Sequence, residues 1–243
     1  MFRRTLATAA AVVGIAALLP LTASAAQPGP VRPLTFDGKA SKSSVVAGTC
    51  NLSIPTRVAI GRPELTLYGK VSGTCNTPTA ASGWALHHPS KGDINEVVFD
   101  KDYQYGDGSW YIPDVHPIGN MVFNGEGSFN EDNTTNTQNK VAVTVKLAAG
   151  AWISSSRTAD VVTLKGTSLL YSVSTNSYFK RSAGGVFQFR EKGSTTWQTL
   201  KSVWTNSKGE VTMAYRYSTT RDYRFALYST SISWDLGSAV TTR

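Results

Sequence analysis

Three histidines, a cluster of aspartates, a set of aromatic rings and four spaced cations are the side chains of this sequence that could do chemistry. His87, His88 and His116 are neutral imidazoles near pH 7 and could in principle bind zinc. Adjacent residues of an extended strand point to opposite faces, so His87 and His88 do not chelate one ion if Trp84–His88 is a strand. A Ser/His hydrolase needs a nucleophile on a strained turn, a His base and an orienting carboxylate, and no Gly-x-Ser-x-Gly elbow is present. Asp100, Asp102 and Asp107 concentrate carboxylates before Gly108 and are the calcium candidates, because calcium takes oxygen ligands from such loops. Their spacing misses the EF-hand loop, with Gln104 and Tyr105 at its fifth and sixth positions and Tyr111 at its twelfth. The same carboxylates could be read as a glycosidase pair, but paired Asp residues are common in turns. The expectation is a protein that is not an enzyme, with no cofactor.

The aromatic and basic residues are more informative. Tyr103, Tyr105, Trp110 and Tyr111 lie in an irregular, Gly-punctuated stretch, Asp100–Pro117, and Trp204, Tyr228 and Trp234 lie near later turns. Exposed rings stack on sugar faces or anchor protein interfaces, whereas buried ones fill a core. Trp110 and Tyr111 are taken as binding candidates, and Trp197, beside a tight turn, as structural. Arg190, Lys201, Arg216 and Arg224 fall on or near the outward phase of their strands. If those strands share a sheet, the four cations make a face for phosphates or carboxylates; otherwise they are a solvated polar surface. No nucleic-acid reading motif accompanies them.

Charge is unevenly spread. Residues 26–159 hold 11 Lys/Arg and 11 Asp/Glu, while residues 160–243 hold 11 and 5. Without the first 25 residues the whole net positive charge therefore sits in the last third, which fits either an anionic partner such as wall polymer, nucleic acid or acidic lipid, or a soluble surface with no dedicated partner.

The chain begins with Arg3-Arg4, an apolar run from Leu6 to Leu21 and Ala23-Ser24-Ala25. That is the pattern of a signal peptide over residues 1–25, and it implies a secreted, extracellular protein. Residues 26–33 are rich in Pro, Ala and Gly and read as a flexible leader. Cys50 and Cys75 in an exported chain are expected to pair, closing a loop worth about 3 kcal/mol. Each ends an alternating run in a repeated Gly-Thr-Cys-Asn, so the sulfurs fall at the ends of neighbouring strands.

Alternation with a period of two recurs throughout, and no window carries a helical stripe. Val141–Leu147 is the clearest strand of the first half, and Gly125–Gln138, almost wholly polar, reads as an exposed loop. In Gly185–Tyr228, Phe187 and Phe189 share one face, as do Val211, Met213, Tyr215 and Tyr217, and again Tyr223, Phe225 and Leu227. A boundary placed around Arg157–Asp160 divides the chain into a first β-sandwich, 34–157, and a second, 158–243.

The run Phe187-Gln188-Phe189-Arg190, then Gly193-Ser194-Thr195-Thr196-Trp197, Lys201-Ser202-Val203, Thr205–Gly209 and Asp222-Tyr223-Arg224, resembles an immunoglobulin-like domain. Such domains recur, single or in tandem, in secreted proteins of high-GC Gram-positive bacteria, and the likeness covers about residues 160–243. The first half is similar to the same class only in strand spacing, Trp84 and its two cysteines, which lie 25 apart and both precede the tryptophan. The resemblance implies an all-β protein of two tandem immunoglobulin-like antiparallel sandwiches. The functional expectation is a non-enzymatic binding or adhesion module that recognises an anionic cell-wall or surface polymer through its basic face. The alternative is a secreted inhibitor or accessory factor that grips a protein partner with the aromatic loop 103–111.

Overall fold

The computed structural model describes residues 45–76, 79–100, 102 and 106–243. The expected signal peptide, the leader and residues 34–44 lie outside the described residues, as do Lys101, Tyr103, Gln104 and Tyr105. The first half forms β1 (Val46–Ser53), β2 (Arg57–Ile60), β3 (Glu64–Tyr68), β4 (Lys70–Gly73), β5 (Thr79–His88), β6 (Gly92–Phe99), β7 (Ser109–Pro113), β8 (Gly119–Asn130), β9 (Thr135–Gln138) and β10 (Val141–Leu147). The second forms β11 (Ala149–Thr158), β12 (Val161–Ser172), β13 (Ser177–Lys180), β14 (Gly184–Glu191), β15 (Gln198–Trp204), β16 (Glu210–Arg216) and β17 (Arg221–Leu227), with two-residue strands at Leu236–Gly237 and Thr241–Thr242. A single 3-10 turn, Thr74–Asn76, is the only helical element among the described residues. The protein is an all-β sandwich fold.

One eight-stranded sheet runs β2-β10-β8-β9-β1-β4, with β5 joining β8 to β6, while β3 and β7 pair as a separate ribbon. Two of its pairings, β1 with β9 and β2 with β10, are parallel, a departure from the all-antiparallel expectation. Period-two alternation drives the inward set: Val58 and Ile60 from β2, Trp84 and Leu86 from β5, Trp110 and Ile112 from β7, and Met121 and Phe123 from β8 are buried together. Burying such side chains is the main stabilising term, about 1.5–3 kcal/mol each before entropy is counted. Trp84 keeps its one polar group satisfied by donating Nε1–H to the Asn139 carbonyl at 3.0 Å.

Cys50 and Cys75 form the expected disulfide, with Cα atoms 5.0 Å apart. It joins β1 to the turn that follows its antiparallel neighbour β4, so it lies along one sheet rather than between two.

The polar stretch Gly125–Gln138 is not a loop. It completes β8, turns over residues 131–134 and forms β9. Its polar side chains bond one another instead of water: Asn136 Nδ2 donates to Ser128 Oγ (3.1 Å) and Asn130 Oδ1 (3.0 Å), and Ser128 meets Ser82 at 2.8 Å. Thr74 donates to Asn136 Oδ1 at 2.6 Å, which completes a buried network beside the disulfide. A satisfied network of this kind lets polar residues occupy an interior strand.

The second half is a sandwich of two sheets. In one, β12 pairs with β11, β13 and β16; in the other the order is β15-β14-β17, extended by the two short C-terminal strands. Val162 and Leu164 of the first sheet meet Phe187, Tyr223, Phe225 and Leu227 of the second, and Val211, Met213, Tyr215 and Tyr217 pack at the margin, in the phase expected. The expected boundary at 157/158 is corrected: β11 and β12 pair without a break from Ala149↔Leu170 to Thr158↔Val161. Residues 157–160 are the tip of that hairpin, and the chain changes sheet between Leu147 and Ala149. The polar, β-branched tip has the composition of a linker, which is why it reads as one.

Candidate functional site

The outward side of the β15-β14-β17 sheet is built by the alternation that fills the core. Phe187 and Phe225 go in, so Gln188, Arg190 and Arg224 come out. Register places Gln188 opposite Arg224 and Arg190 opposite Asp222. Arg190 Nε donates to Asp222 Oδ2 at 3.0 Å, and Arg224 Nε donates to the neutral Gln188 amide oxygen at 2.7 Å. Trp197, on the irregular stretch before β15, lies against both guanidinium groups, 4.7 Å from that of Arg190 and 4.3 Å from that of Arg224. Planar guanidinium groups stack on aromatic faces, so the indole fixes two long side chains that would otherwise be mobile.

The electrostatics follow from this packing. Burial against Trp197 and the neighbouring charge of Arg190 push the Arg224 guanidinium below its usual value, so this cation is short of counter-charge. Asp222 is held below the ordinary carboxylate range by the Thr242 hydroxyl and by Arg190. Every acid of the last third is already engaged: Asp160 with Arg216, Glu191 with Arg221, Glu210 with Lys165 and Lys180, Asp222 with Arg190, and Asp235 with Arg57 of the first half. Arg224, Lys201 and Lys208 have no acidic partner within ion-pair distance among the described residues, so the surplus charge is free to meet an anion.

The four expected basic residues are only partly brought together. Arg190 and Arg224 share the outward face of one sheet; Lys201, exposed on β15 of the same sheet, pairs with inward Phe187 where the register shifts and is therefore on the other phase. Arg216 belongs to β16 in the opposite sheet and pairs with Asp160 at 3.7 Å, so it is not part of this face. Sheet membership, unlike alternation, leaves no mark in the local sequence. Trp197 reads as a packing residue in the sequence; its position against two arginines leaves no sequence signal because its indole is placed by an irregular stretch rather than a strand.

The aromatic candidates divide in the same way. Trp110 is fully buried in the first core, edge-on to Phe123 with centroids 5.1 Å apart, and is corrected from binding residue to core residue. Tyr111, its neighbour on β7, points outward and is exposed. Of the proposed loop 103–111, Tyr103 and Tyr105 lie outside the described residues.

The calcium candidates serve their own turns. Asp100 Oδ1 accepts from the Asp102 backbone N–H and Asp107 Oδ1 from that of Ser109, at 2.9 and 3.0 Å. Among the described residues no three His, Cys, Asp or Glu side chains converge as a metal site would require. The histidines are likewise dispersed: His87 pairs with Asp93 at 2.9 Å, His88 meets Ser90, and His116 is buried with Nδ1 donating to the Pro117 carbonyl at 2.9 Å.

No protein-family model matches the sequence, and no curated protein matches it. Among solved structures the chain is similar to the fibronectin(III)-like modules of Clostridium thermocellum CbhA, at 10% identity and TM-score 0.32, over 79% of this chain and 90% of that one. It is similar to the human OSCAR ligand-binding domain at 13% identity and TM-score 0.27, over 80% and 98%. A domain pair of intimin gives 11% and 0.26, over 79% and 98%. Similarity at this level bears no weight beside the strand pairings above, on which the fold class rests.

Proposed function

We propose that this chain is a secreted, non-enzymatic binding module of the tandem immunoglobulin-like kind known from high-GC Gram-positive bacteria, and that it holds an anionic cell-wall or surface polymer. The observation that carries the reading is the arrangement at Trp197: two arginines stacked on one indole, with Arg224 bonded to a neutral amide rather than an acid. A rigid Arg224 with no acid partner on an open sheet face suits a repeating anion better than a small ligand, because the polymer gains from several weak contacts at once.

The test is a sedimentation assay of the protein with isolated cell wall and with polyglutamate, over rising NaCl. Binding should fall several-fold between about 50 and 500 mM salt, as the Debye length shrinks from about 14 to about 4 Å. Arg190→Gln/Arg224→Gln should weaken it by a similar factor. Salt-insensitive binding, or none to either polymer, removes the reading.

A further inference from the structure

At the other end of the same sheet face, two aromatic rings are laid out in the open. Trp204 is 73% exposed and Tyr228 48% exposed, although both sit on or beside paired strands. Trp204 ends β15 directly opposite Gly184, and the Tyr228 backbone N–H donates to the Gly184 carbonyl from the other side at 3.1 Å. Gly184 is what lets them approach: a Cβ there would come within 2.8 Å of Trp204 Cζ3 and 3.3 Å of Tyr228 Cδ2. The two rings therefore come within about 6 Å of each other over one bare stretch of backbone.

Neither ring is free to swing. Trp204 Nε1–H is bonded to Ser182 Oγ at 2.9 Å while its benzo edge rests on Gly184, so the indole is pinned at both ends along the surface. The Tyr228 hydroxyl meets Ser202 Oγ at 3.0 Å. Ser202 lies on β15 and Tyr228 follows β17, which flank β14 on opposite sides, so the phenol lies across β14. Each ring thus turns one face to solvent, with its polar edge already satisfied. Flat, fixed rings are suited to the C–H face of a sugar, since ordering them on binding costs little conformational entropy.

Charge complements the shape. Lys208 lies in the turn after β15 and Arg181 adjoins Ser182; neither has an acidic partner among the described residues, whereas Lys201, opposite inward Phe187, is on the other phase of the strand from Trp204. The nearest acid along the chain, Glu210, is held by Lys165 and Lys180 at 3.1 and 2.8 Å. From Gly184 to Gln188, which bonds Arg224, is four residues of β14, about 13 Å, the span of two or three linked pyranose units.

We infer that Trp204 and Tyr228 form a stacking platform for pyranose rings of an acidic polysaccharide, whose carboxylates run from Arg181 and Lys208 toward Arg224. This rests on the polymer-binding reading above and specifies its ligand as a uronate-containing glycan.

Affinity electrophoresis of the protein with polygalacturonate, dextran and polyglutamate separates the two claims. The platform predicts tighter binding to polygalacturonate than to either other polymer. Trp204→Ala should weaken polygalacturonate binding about tenfold or more and leave polyglutamate binding unchanged. Gly184→Ala, whose methyl displaces the indole, should do the same in part. The exposed ring can be removed without unfolding, which circular dichroism of the variant verifies. Equal binding of polygalacturonate and polyglutamate, with Trp204→Ala silent, overturns the platform and leaves the anionic-polymer reading standing. Dextran bound as tightly as polygalacturonate overturns the acidic ligand, and Trp204-dependent binding to phosphatidylserine vesicles but not to polygalacturonate replaces the glycan by a lipid. No binding to any polymer or to isolated wall overturns both proposals.

Discussion

The Tyr171 hydroxyl, carried by β12 of the second sandwich, donates to Asp114 Oδ2 at 3.0 Å beside the core of the first. Its ring is buried in that first core, and its backbone N–H takes the Ala148 carbonyl at the change of sheet. Burial and the adjacent Asp114 carboxylate raise the phenol above its usual value, so it stays protonated and donating across the physiological range. A second clasp lies at Trp234, whose Nε1–H donates to Val58 O at 2.7 Å and whose ring carries Arg57 and Lys146 at 4.2 and 4.4 Å.

The two sandwiches should consequently melt together. Calorimetry is expected to show one transition for the protein, and two for Tyr171→Ala/Trp234→Ala. Tyr171→Phe alone, which leaves the Asp114 carboxylate short of a donor, should lower the melting temperature by about 3–8 °C.

Ala159 occupies the first position of the two-residue turn between β11 and β12 with φ of 52°, a left-handed conformation that suits glycine. Ala159→Gly should stabilise the protein by about 1 kcal/mol, read as an upward shift of the urea midpoint with unchanged slope. A fall in the midpoint would show that the lost unfolded-state restriction outweighs the relieved strain.

Gly166 of β12 lies directly under the Phe225 ring, and an added Cβ would meet ring carbons at 2.9–3.1 Å. Phe225 is fully buried between the two sheets and has no room to withdraw. Gly166→Ala should cost about 1–3 kcal/mol by overpacking, while Gly193→Ala, where the added carbon meets open space but φ is +85°, should cost less, through backbone strain alone. Denaturant unfolding of the two variants side by side tests the ordering.

Burial pushes the His116 imidazole below its usual value, the Pro117 carbonyl opposes this by accepting from Nδ1, and electrostatic interaction with nearby His88 lowers it again. The folded protein therefore binds the His116 proton less readily than the unfolded chain. Above about pH 6.5 neither state is protonated and the contribution is fully present. It is lost as pH falls through that value toward the lower folded one. Melting temperatures from pH 7.5 to 5 should decline, and the decline should be shallower in His116→Phe.

Alternation alone made much of the fold legible. The inward sets at Phe187, Tyr223 and Phe225 could be assigned because every other residue faces a dry sheet interface. Three features escaped for physical reasons. The same alternation, carried through Ser109–Pro113, would have sent Trp110 inward and Tyr111 outward, but the surrounding Gly and Tyr residues hide the strand. Ser128 and Asn136 look like loop residues because composition cannot reveal that their partners are one another. Arg216 shares its outward phase with Arg190 because phase is local, whereas the pairing of β16 with β12 is decided by residues about fifty positions away.

The clasp at Trp234 also orders events in time. The Val58 carbonyl lies on β2, at the border of the eight-stranded sheet, and the group that covers it stands 176 residues later. A chain emerging from its N-terminus must hold that border open until nearly all of it has been released. During synthesis the border of the first sandwich is therefore among the last surfaces to close, and it is the place where two unfinished copies would pair with each other.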